Sequence, residues 1–358
     1  MAALSLAHAL RTIAWEDDHV VILDQTALPS ERRDVFLRTI EDAFVAIRDL
    51  QVRGAPLIGV SAAFGLYLGM REALANQDAD PARELARCSA YLAGARPTAV
   101  NLTWALQQAM RDVAPLLDSG DSQAILARLL RVAQGLLDAD VATNRALGLH
   151  GLPLLRGTRA ILTHCNAGWL ATAGFGSALA PLYALLERGE EVPRVYVDET
   201  RPILQGARLT AWELEQAGVP VTLICDNMAA TVLSQGRVDA VLVGCDRMAA
   251  NGDFANKIGT LGVAILAREF GVPFYAGVPT SSIDFALATG AEIQIEERAA
   301  DEVRRVGGRT VAPEVDVYNP AFDVTPHRYL SAVITERGIV TPPFDAGLAR
   351  LRDLSGEN

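Results

Sequence analysis

Lys257 is the only lysine in the chain; the other 31 of its 32 basic residues are arginines. At a solvated surface the two residues exchange at little cost. A lone lysine therefore marks a place that needs a compact, rotatable charge or an amine whose pKa can move, where a flat guanidinium fork does not serve. It stands in "VGCDRMAANGDFANKIGT", which reads as a turn at "NGD" followed by a helix with Asn256 and Lys257 at its head. A helix start favours anions, and an ammonium there suits a phosphate. Asp246 follows the apolar run "DAVLVG", where partial desolvation would keep a carboxyl protonated near neutral pH, as a general acid requires; an ion pair with Arg247 or a helix cap is the plainer alternative. Cys165 in "THCNAGWLATAGFG" is set between a strand and a helix. Backbone N–H groups lower a thiol pKa there, apolar neighbours raise it, and a buried structural thiol is the competing reading. Arg53, with the backbone of Gly54 and Ala55 in "VRGAPLIG", and Arg96 before Pro97 in "ARPTAVN", each sit at a turn into a helix, a geometry suited to an anion. Taken singly, either arginine is an ordinary surface charge.

These groups need a framework that brings them to one place. "RTIAWEDDHVVILDQTAL" reads as two short strands around a turn at Asp17 and Asp18, followed by helical stretches over 30–48, 55–76, 80–94, 98–117 and 121–149. "GLPLLRG" breaks the pattern at Gly151 and Pro153, placing a domain boundary near residue 150. Beyond it short β-branched runs alternate with helical patterns: "RAILTH", a helix from about Gly168, "RVYVD", a helix from about Gln205, "PVTLIC", a short helix, "DAVLVG", a helix from about Asn256, and "PFYAG". A last helix is expected over "DVTPHRYLSAVITERG", with Thr325 and Pro326 as its cap and first turn.

The fold class is thus α/β: residues 1–150 as a mainly helical N-terminal domain with a small antiparallel β element, and 151–358 as a doubly wound, Rossmann-like parallel sheet. Ligands of such sheets bind outside the carboxyl ends of the strands. The residues there are His164-Cys165-Asn166, Asp198-Glu199-Thr200-Arg201, Asp226-Asn227, Cys245-Asp246-Arg247 and Pro279-Thr280-Ser281. Capping is the favoured reading for Asp226 and Asn227.

Bulk properties exclude several classes of function. At 358 residues, half of them hydrophobic, the chain suffices for two packed domains. A net charge of −11 leaves no footprint for nucleic acid or anionic lipid, so the basic groups for a small anionic ligand must be few and local. No apolar run is long enough to span a membrane and the chain start carries no signal-peptide pattern, which makes the cytoplasm the default. The four cysteines are too scattered for a zinc site or a disulfide framework and are expected as reduced thiols. The first βα turn lacks G-x-G-x-x-G and no G-x-x-x-x-G-K-[ST] occurs, so neither a dinucleotide nor a nucleoside triphosphate is indicated. A small ligand handled without metal or redox cofactor remains.

The blocks "RGAPLIGVSAAFG", "ARPTAVNLTWAL", "THCNAGWLATAGFG", "VYVDETRPILQGARLTAWEL", "DNMAA", "GCDRMAANGDFANKIGT", "VPFYAGVPTSSID" and "VYNPAFDVTP", in this order over about residues 50–340, resemble the methylthioribose-1-phosphate isomerase family of methionine salvage. Its wider fold group includes the alpha, beta and delta subunits of translation initiation factor 2B, and isomerases of ribose 1,5-bisphosphate or 5-deoxyribose 1-phosphate. The resemblance implies a reactive cysteine at Cys165 and an acid/base aspartate at Asp246. It implies substrate binding by Arg53, Gly54, Ala55, Arg96, Gln205, Asn256 and Lys257. It further implies conversion of 5-methylthioribose 1-phosphate to 5-methylthioribulose 1-phosphate, no cofactor, a small sugar phosphate as the partner, and a homodimer. Where the family has alanine before the aspartate, this chain has Cys245. A related sugar-1-phosphate isomerase, or a regulatory subunit without catalysis, is the alternative.

Overall fold

A computed structural model describes residues 11–76, 78–97 and 99–355. The first ten residues, part of the chain start read above, and Thr98, within a predicted helix, lie outside the described residues. Among the described residues no helix is long and apolar enough to cross a membrane. The chain divides into two compact units, one running to Ala142 and taking in Trp169–Gly174, the other comprising Thr143–Gly168 and everything from Phe175.

The first unit opens with an antiparallel sheet of β1 (Ile13–Glu16), β2 (His19–Leu23) and β3 (Asp34–Leu37). The two predicted strands are present, and a third replaces the start of the helix expected over 30–48. That helix begins at Ile40, fixed by a capping box in which Thr39 Oγ1 accepts from Asp42 N–H at 3.1 Å and Asp42 Oδ2 accepts from Thr39 N–H at 2.9 Å. The helix Ala55–Ala73 is buried along nearly its whole length, and the core of the unit forms around it. Its entry at Gly54, φ +95°, admits only glycine, because a Cβ there would lie 2.2 Å from the Ala171 carbonyl oxygen.

The boundary read at residue 150 falls inside the helix Ser122–Leu155. Gly148 and Gly151 do not break it. A Cβ on either would come within 2.7 Å of Ala180 or Pro181, so these glycines let the helix pack closely against the start of helix Ala180–Glu187.

The second unit is built on a seven-stranded sheet. In spatial order it runs β16 (Gly338–Val340), β15 (Ala332–Thr335), β10 (Phe274–Gly277), β7 (Ala240–Val243), β4 (Ala160–Thr163), β5 (Arg194–Asp198), β6 (Val221–Ile224). All neighbours are parallel except the β15/β16 pair. Every residue of β4 and β7 is buried. This is the near-continuous apolar signature of strands covered on both faces, and burying each Val, Leu or Ile contributes about 2 kcal/mol. The doubly wound α/β class holds. From β4 the chain winds through β5 and β6 on one side, then returns to β7 and β10 on the other, so the winding reverses between β4 and β7. A smaller sheet, β11 (Ile283–Asp284), β8 (Arg247–Ala249), β9 (Phe254–Lys257), β14 (Phe322–Thr325), is inserted after β7. β12 (Arg305–Val306) and β13 (Arg309–Thr310) form a separate hairpin.

Three predicted helices are corrected here. Asn256 and Lys257 end strand β9 and do not head a helix: "NGD" is the hairpin turn between β8 and β9, with Gly252 at φ +89°, and the helix starts only at Thr260, after Gly259 at φ +106°. The helix expected from Gly168 begins at Ala180, since Phe175 and Gly176 are both left-handed, at φ 72° and 71°, and cannot continue a helix. The expected last helix is instead β14, a single 3-10 turn at His327–Tyr329, β15 and β16. The four residues of β15, "AVIT", are all buried and extend the sheet beside β10, which overrides the helical spacing. Thr325 is fully buried in β14 and caps nothing.

Candidate active site

The reversal point between β4 and β7 is where ligands of doubly wound sheets bind, and Cys165 and Asp246 flank it. Cys165 lies two residues past the end of β4 and Asp246 three past the end of β7. Adjacent parallel pairing (Ile161↔Ala240, Leu162↔Val241) carries both to the same edge. Gly244 keeps the two strand ends close, because a Cβ there would sit 2.7 Å from Ala167 Cβ and 3.9 Å from Asn256 Oδ1. Gly168, next along, is required by the buried Glu213, whose Oε1 would lie 1.4 Å from an added Cβ. Glu213 also accepts from the hydroxyl of fully buried Tyr183 at 3.2 Å.

Cys165 is 9% exposed and has φ +68°, a left-handed conformation that costs a non-glycine residue about 1–2 kcal/mol. Surrounding hydrogen bonds hold it there. Its N–H donates to Thr200 Oγ1 at 2.9 Å, and its carbonyl accepts from Thr210 Oγ1 at 2.7 Å. Thr210 Oγ1 in turn accepts from Asn166 Nδ2 at 3.1 Å, and Thr200 Oγ1 donates to the Asp198 carbonyl at 3.1 Å. Thr200 and Leu204 are left-handed as well, at φ 63° and 60°. Between them and Thr210 the chain winds as a π-helical turn, Gly206–Thr210, a rare winding frequent at functional sites. Gln205, 4% exposed, precedes that turn. The Asp226 carboxylate accepts from the N–H groups of Thr200 and Arg201, both at 2.7 Å, so it ties down the loop after β5 and, contrary to the capping reading, does not cap the turn that follows it. Thr280 is similarly occupied, bonded through N–H and hydroxyl to Glu336.

His164 ties the β4 end to the loop after β9. Its Nδ1 lies 2.9 Å from Asp198 Oδ2, and its Nε2 2.8 Å from the Ile258 carbonyl, with both side chains buried. A carbonyl only accepts, so Nε2 carries a proton. Burial pushes the imidazolium pKa down, but the Asp198 carboxylate, the Ile258 carbonyl and the Asp226 charge outweigh it, and the net shift is upward. The ring occupies the space a Cβ on Gly259 would need, with Cε1 2.7 Å from that position. Asp323 secures the same loop, accepting from Gly259 N–H at 2.8 Å and Leu261 N–H at 3.1 Å. His164, Asp198 and Asp226 offer three ligating atoms within 4.8 Å of one another. Each residue already takes part in the hydrogen bonds above, so the trio reads as a structural hub.

Lys257 is buried at 7% exposure, its Nζ 4.4 Å from the centre of the Phe322 ring across the β9/β14 pair. An ammonium over a ring face is attracted by the ring's quadrupole. Asn256, 4% exposed, donates from Nδ2 to Thr260 Oγ1 at 3.0 Å. Asp246 is exposed, so this fold does not supply the desolvation expected for its carboxyl. Arg247 makes its ion pair with Asp284, at 3.8 Å. Asp246 N–H is held by the Ala255 carbonyl at 3.0 Å. Burial, and then the Asp246 charge, push the Cys245 thiol well above its usual pKa.

Five of the predicted residues, Cys165, Gln205, Asp246, Asn256 and Lys257, thus lie in loops or at strand ends of the second unit. Arg53, Gly54, Ala55 and Arg96 belong to the first unit, where Gly54 starts one helix and Arg96 precedes another, Val100–Leu117. Sequence reading missed Thr210, Gly259, Phe322 and Glu213. A glycine two residues after the lone lysine was the one available sign of a turn there; the others have no local signal.

A family model described as the initiation factor 2 subunit family matches residues 51–342. A protein of Symbiobacterium thermophilum named methylthioribose-1-phosphate isomerase is 55% identical over 93% of this chain and 92% of its own length. A protein of Moorella thermoacetica named 5-deoxyribose 1-phosphate isomerase is 53% identical over 97% and 98%. The crystal structure of 5-methylthioribose 1-phosphate isomerase from Pyrococcus horikoshii superposes with a TM-score of 0.90 at 42% identity, covering 99% of this chain and all of that one. With a matching family model over most of its length and relatives above half identity end to end, the chain belongs to the initiation factor 2 subunit family.

Proposed function

We propose that this chain is an aldose–ketose isomerase that converts 5-methylthioribose 1-phosphate to 5-methylthioribulose 1-phosphate, a step of methionine salvage. The observation that carries the reading is the placement of Cys165 and Asp246 on either side of the sheet's reversal point. The isomerase names of end-to-end relatives support the same class of reaction.

The phosphate on C1 locks the sugar as a ring, so no free aldehyde is available and the ring oxygen must be helped to leave. Protonated Asp246 donates to that oxygen as the C1–O bond breaks, then takes back the O2 proton as the C2 carbonyl forms. Hydrogen moves from C2 to C1 by one of two routes. In the first, the Cys165 thiolate removes the C2 proton and returns it to C1; in the second, hydride passes directly and Cys165 stabilises the developing charge. Lys257 holds the phosphate, while Gln205 and Asn256 orient hydroxyls. Arg53, Gly54, Ala55 and Arg96 keep the substrate-binding role that the resemblance implies. A symmetric homodimer is the expected assembly, checked by sedimentation.

A second reading, 5-deoxyribose 1-phosphate as substrate, is favoured by the name of the Moorella relative. The two sugars differ only in the apolar group at C5. Ribose 1,5-bisphosphate would instead need a second basic site. Competing the three sugars against the purified protein decides. Preference for the deoxy sugar moves the assignment to the second reading, preference for the bisphosphate overturns both, and no ketose from any of them with folded protein rejects the isomerase. Deuterium at C2 separates the routes, since loss to solvent marks proton transfer and full retention at C1 marks hydride.

A further inference from the structure

We infer that Thr200 and Thr210 are positioning residues, whose two hydroxyls grip opposite ends of the Cys165 backbone and so set the aim of its sulfur. The inference rests on Cys165 being the reactive thiol of the proposed reaction.

Cys165 has the left-handed φ of +68°, which its own side chain disfavours. A short loop in that conformation relaxes unless something over-determines it. Both polar groups of the residue are claimed by hydroxyls that reach it from elsewhere in the chain: N–H by Thr200 Oγ1 at 2.9 Å and C=O by Thr210 Oγ1 at 2.7 Å. The proton count is consistent. The one hydroxyl proton of Thr210 goes to the Cys165 carbonyl, leaving a lone pair for Asn166 Nδ2. That of Thr200 goes to the Asp198 carbonyl, leaving a lone pair for the Cys165 N–H.

The two threonines are themselves rigidly placed. Thr200 and Thr210 are both fully buried, and Thr200 N–H is held by Asp226 at 2.7 Å. Thr210 ends the π-helical turn, which is pressed so closely on the β5 end that a Cβ on Gly206 would lie 1.7 Å from the Asp198 carbonyl oxygen. The irregular winding after β5 thereby delivers one hydroxyl to each side of the Cys165 peptide. Both threonine contacts are to its backbone.

Thr200→Val and Thr210→Val remove each hydroxyl at constant shape; Thr200→Ser and Thr210→Ser keep it. Two readouts are taken on protein whose melting temperature shows it folded. One is the rate of iodoacetamide alkylation at Cys165, resolved by peptide mass spectrometry against exposed Cys225. The other is kcat and KM with the sugar phosphate. The valine variants are expected to change the Cys165 alkylation rate at least ~10-fold and to lower kcat on the order of 10- to 100-fold with KM little moved, and the serine variants to recover both. Folded valine variants with unchanged Cys165 reactivity and kcat overturn the inference. So do serine variants as impaired as valine, because restoring the hydroxyl would then restore nothing. The alkylation arm needs no turnover, so it tests the clamp even if the proposed substrate is wrong.

Discussion

Two neighbouring strand ends carry the thiol and the carboxyl proposed to react, and the protein treats them differently. After β4, Cys165 is buried, strained and bonded through both backbone groups, with His164 and Asn166 on either side equally engaged. After β7, Asp246 is exposed, and its backbone N–H bonds to Ala255 across the small sheet. The contrast matches two chemical tasks. A group that must reach one carbon, or face the charge between two, gains from being held within a fraction of an ångström of its working position. A carboxyl that must donate a proton needs desolvation to stay protonated, and for exposed Asp246 the bound sugar must supply it.

The sharpest break of the comparison comes from removing each group. Cys165→Ser and Asp246→Asn are each expected to lower kcat at least ~10²-fold in the ketose assay. If the aspartate variant loses no more than an ordinary surface substitution, its exposure was the true indication and the pairing of the two ends fails.

Next in size is Gly259→Ala. Its new Cβ meets the His164 ring at 2.7 Å on a backbone at φ +106°. Denaturant unfolding should report a loss of about 3 kcal/mol, from backbone strain plus overpacking. Retained stability would mean that His164 yields easily and that the β4 end is less rigid than its bonds imply.

Lys257→Arg follows. The charge is kept, but a longer, planar fork replaces a compact ammonium at a buried position over Phe322. A roughly 10-fold rise in KM for the sugar phosphate is expected, about 1.4 kcal/mol of binding, with kcat changed less. An unchanged KM would mean that arginine serves at this position as well as lysine.

The smallest effect is a pH dependence of stability. The His164 pKa is raised in the folded protein, in a setting that also contains the charges of Asp198, Asp226 and Asp323. A raised pKa means that the folded state binds the proton more tightly. The contribution is therefore complete below the unfolded value of about 6.5 and disappears as pH rises through the folded value. Urea midpoints at pH 6 and pH 9 should differ more for the wild type than for the double variant His164→Asn, Asp198→Asn. Equal differences would show that the pair holds its place by shape alone.

Much of this was legible in the residues. Buried strands such as "DAVLVG" and "RAILTH" announce themselves by apolar content, because a parallel sheet covered on both faces accepts little else. The rule that ligands gather past such strands then pointed to Cys165 and Asp246 directly. Two of the misreadings share one cause. "FANK" and "AVIT" are four-residue strands, too short to establish a period of their own, and the partners that make them strands lie far along the chain: β14 for the first, β10 for the second.

By itself, then, the sequence determined the class of fold and the strand ends past which a ligand would sit, since these follow from residue type and local pattern, while the roles proposed for the thiol, carboxyl and amine rest on the family resemblance. Only the tertiary structure decided the rest: that Lys257 ends a strand over Phe322, that Asp246 faces solvent, and that threonines 35 and 45 residues downstream grip Cys165. A hydrogen bond between distant residues has no periodicity to betray it. It exists only once packing has brought the two segments together and excluded the water that would otherwise take its place.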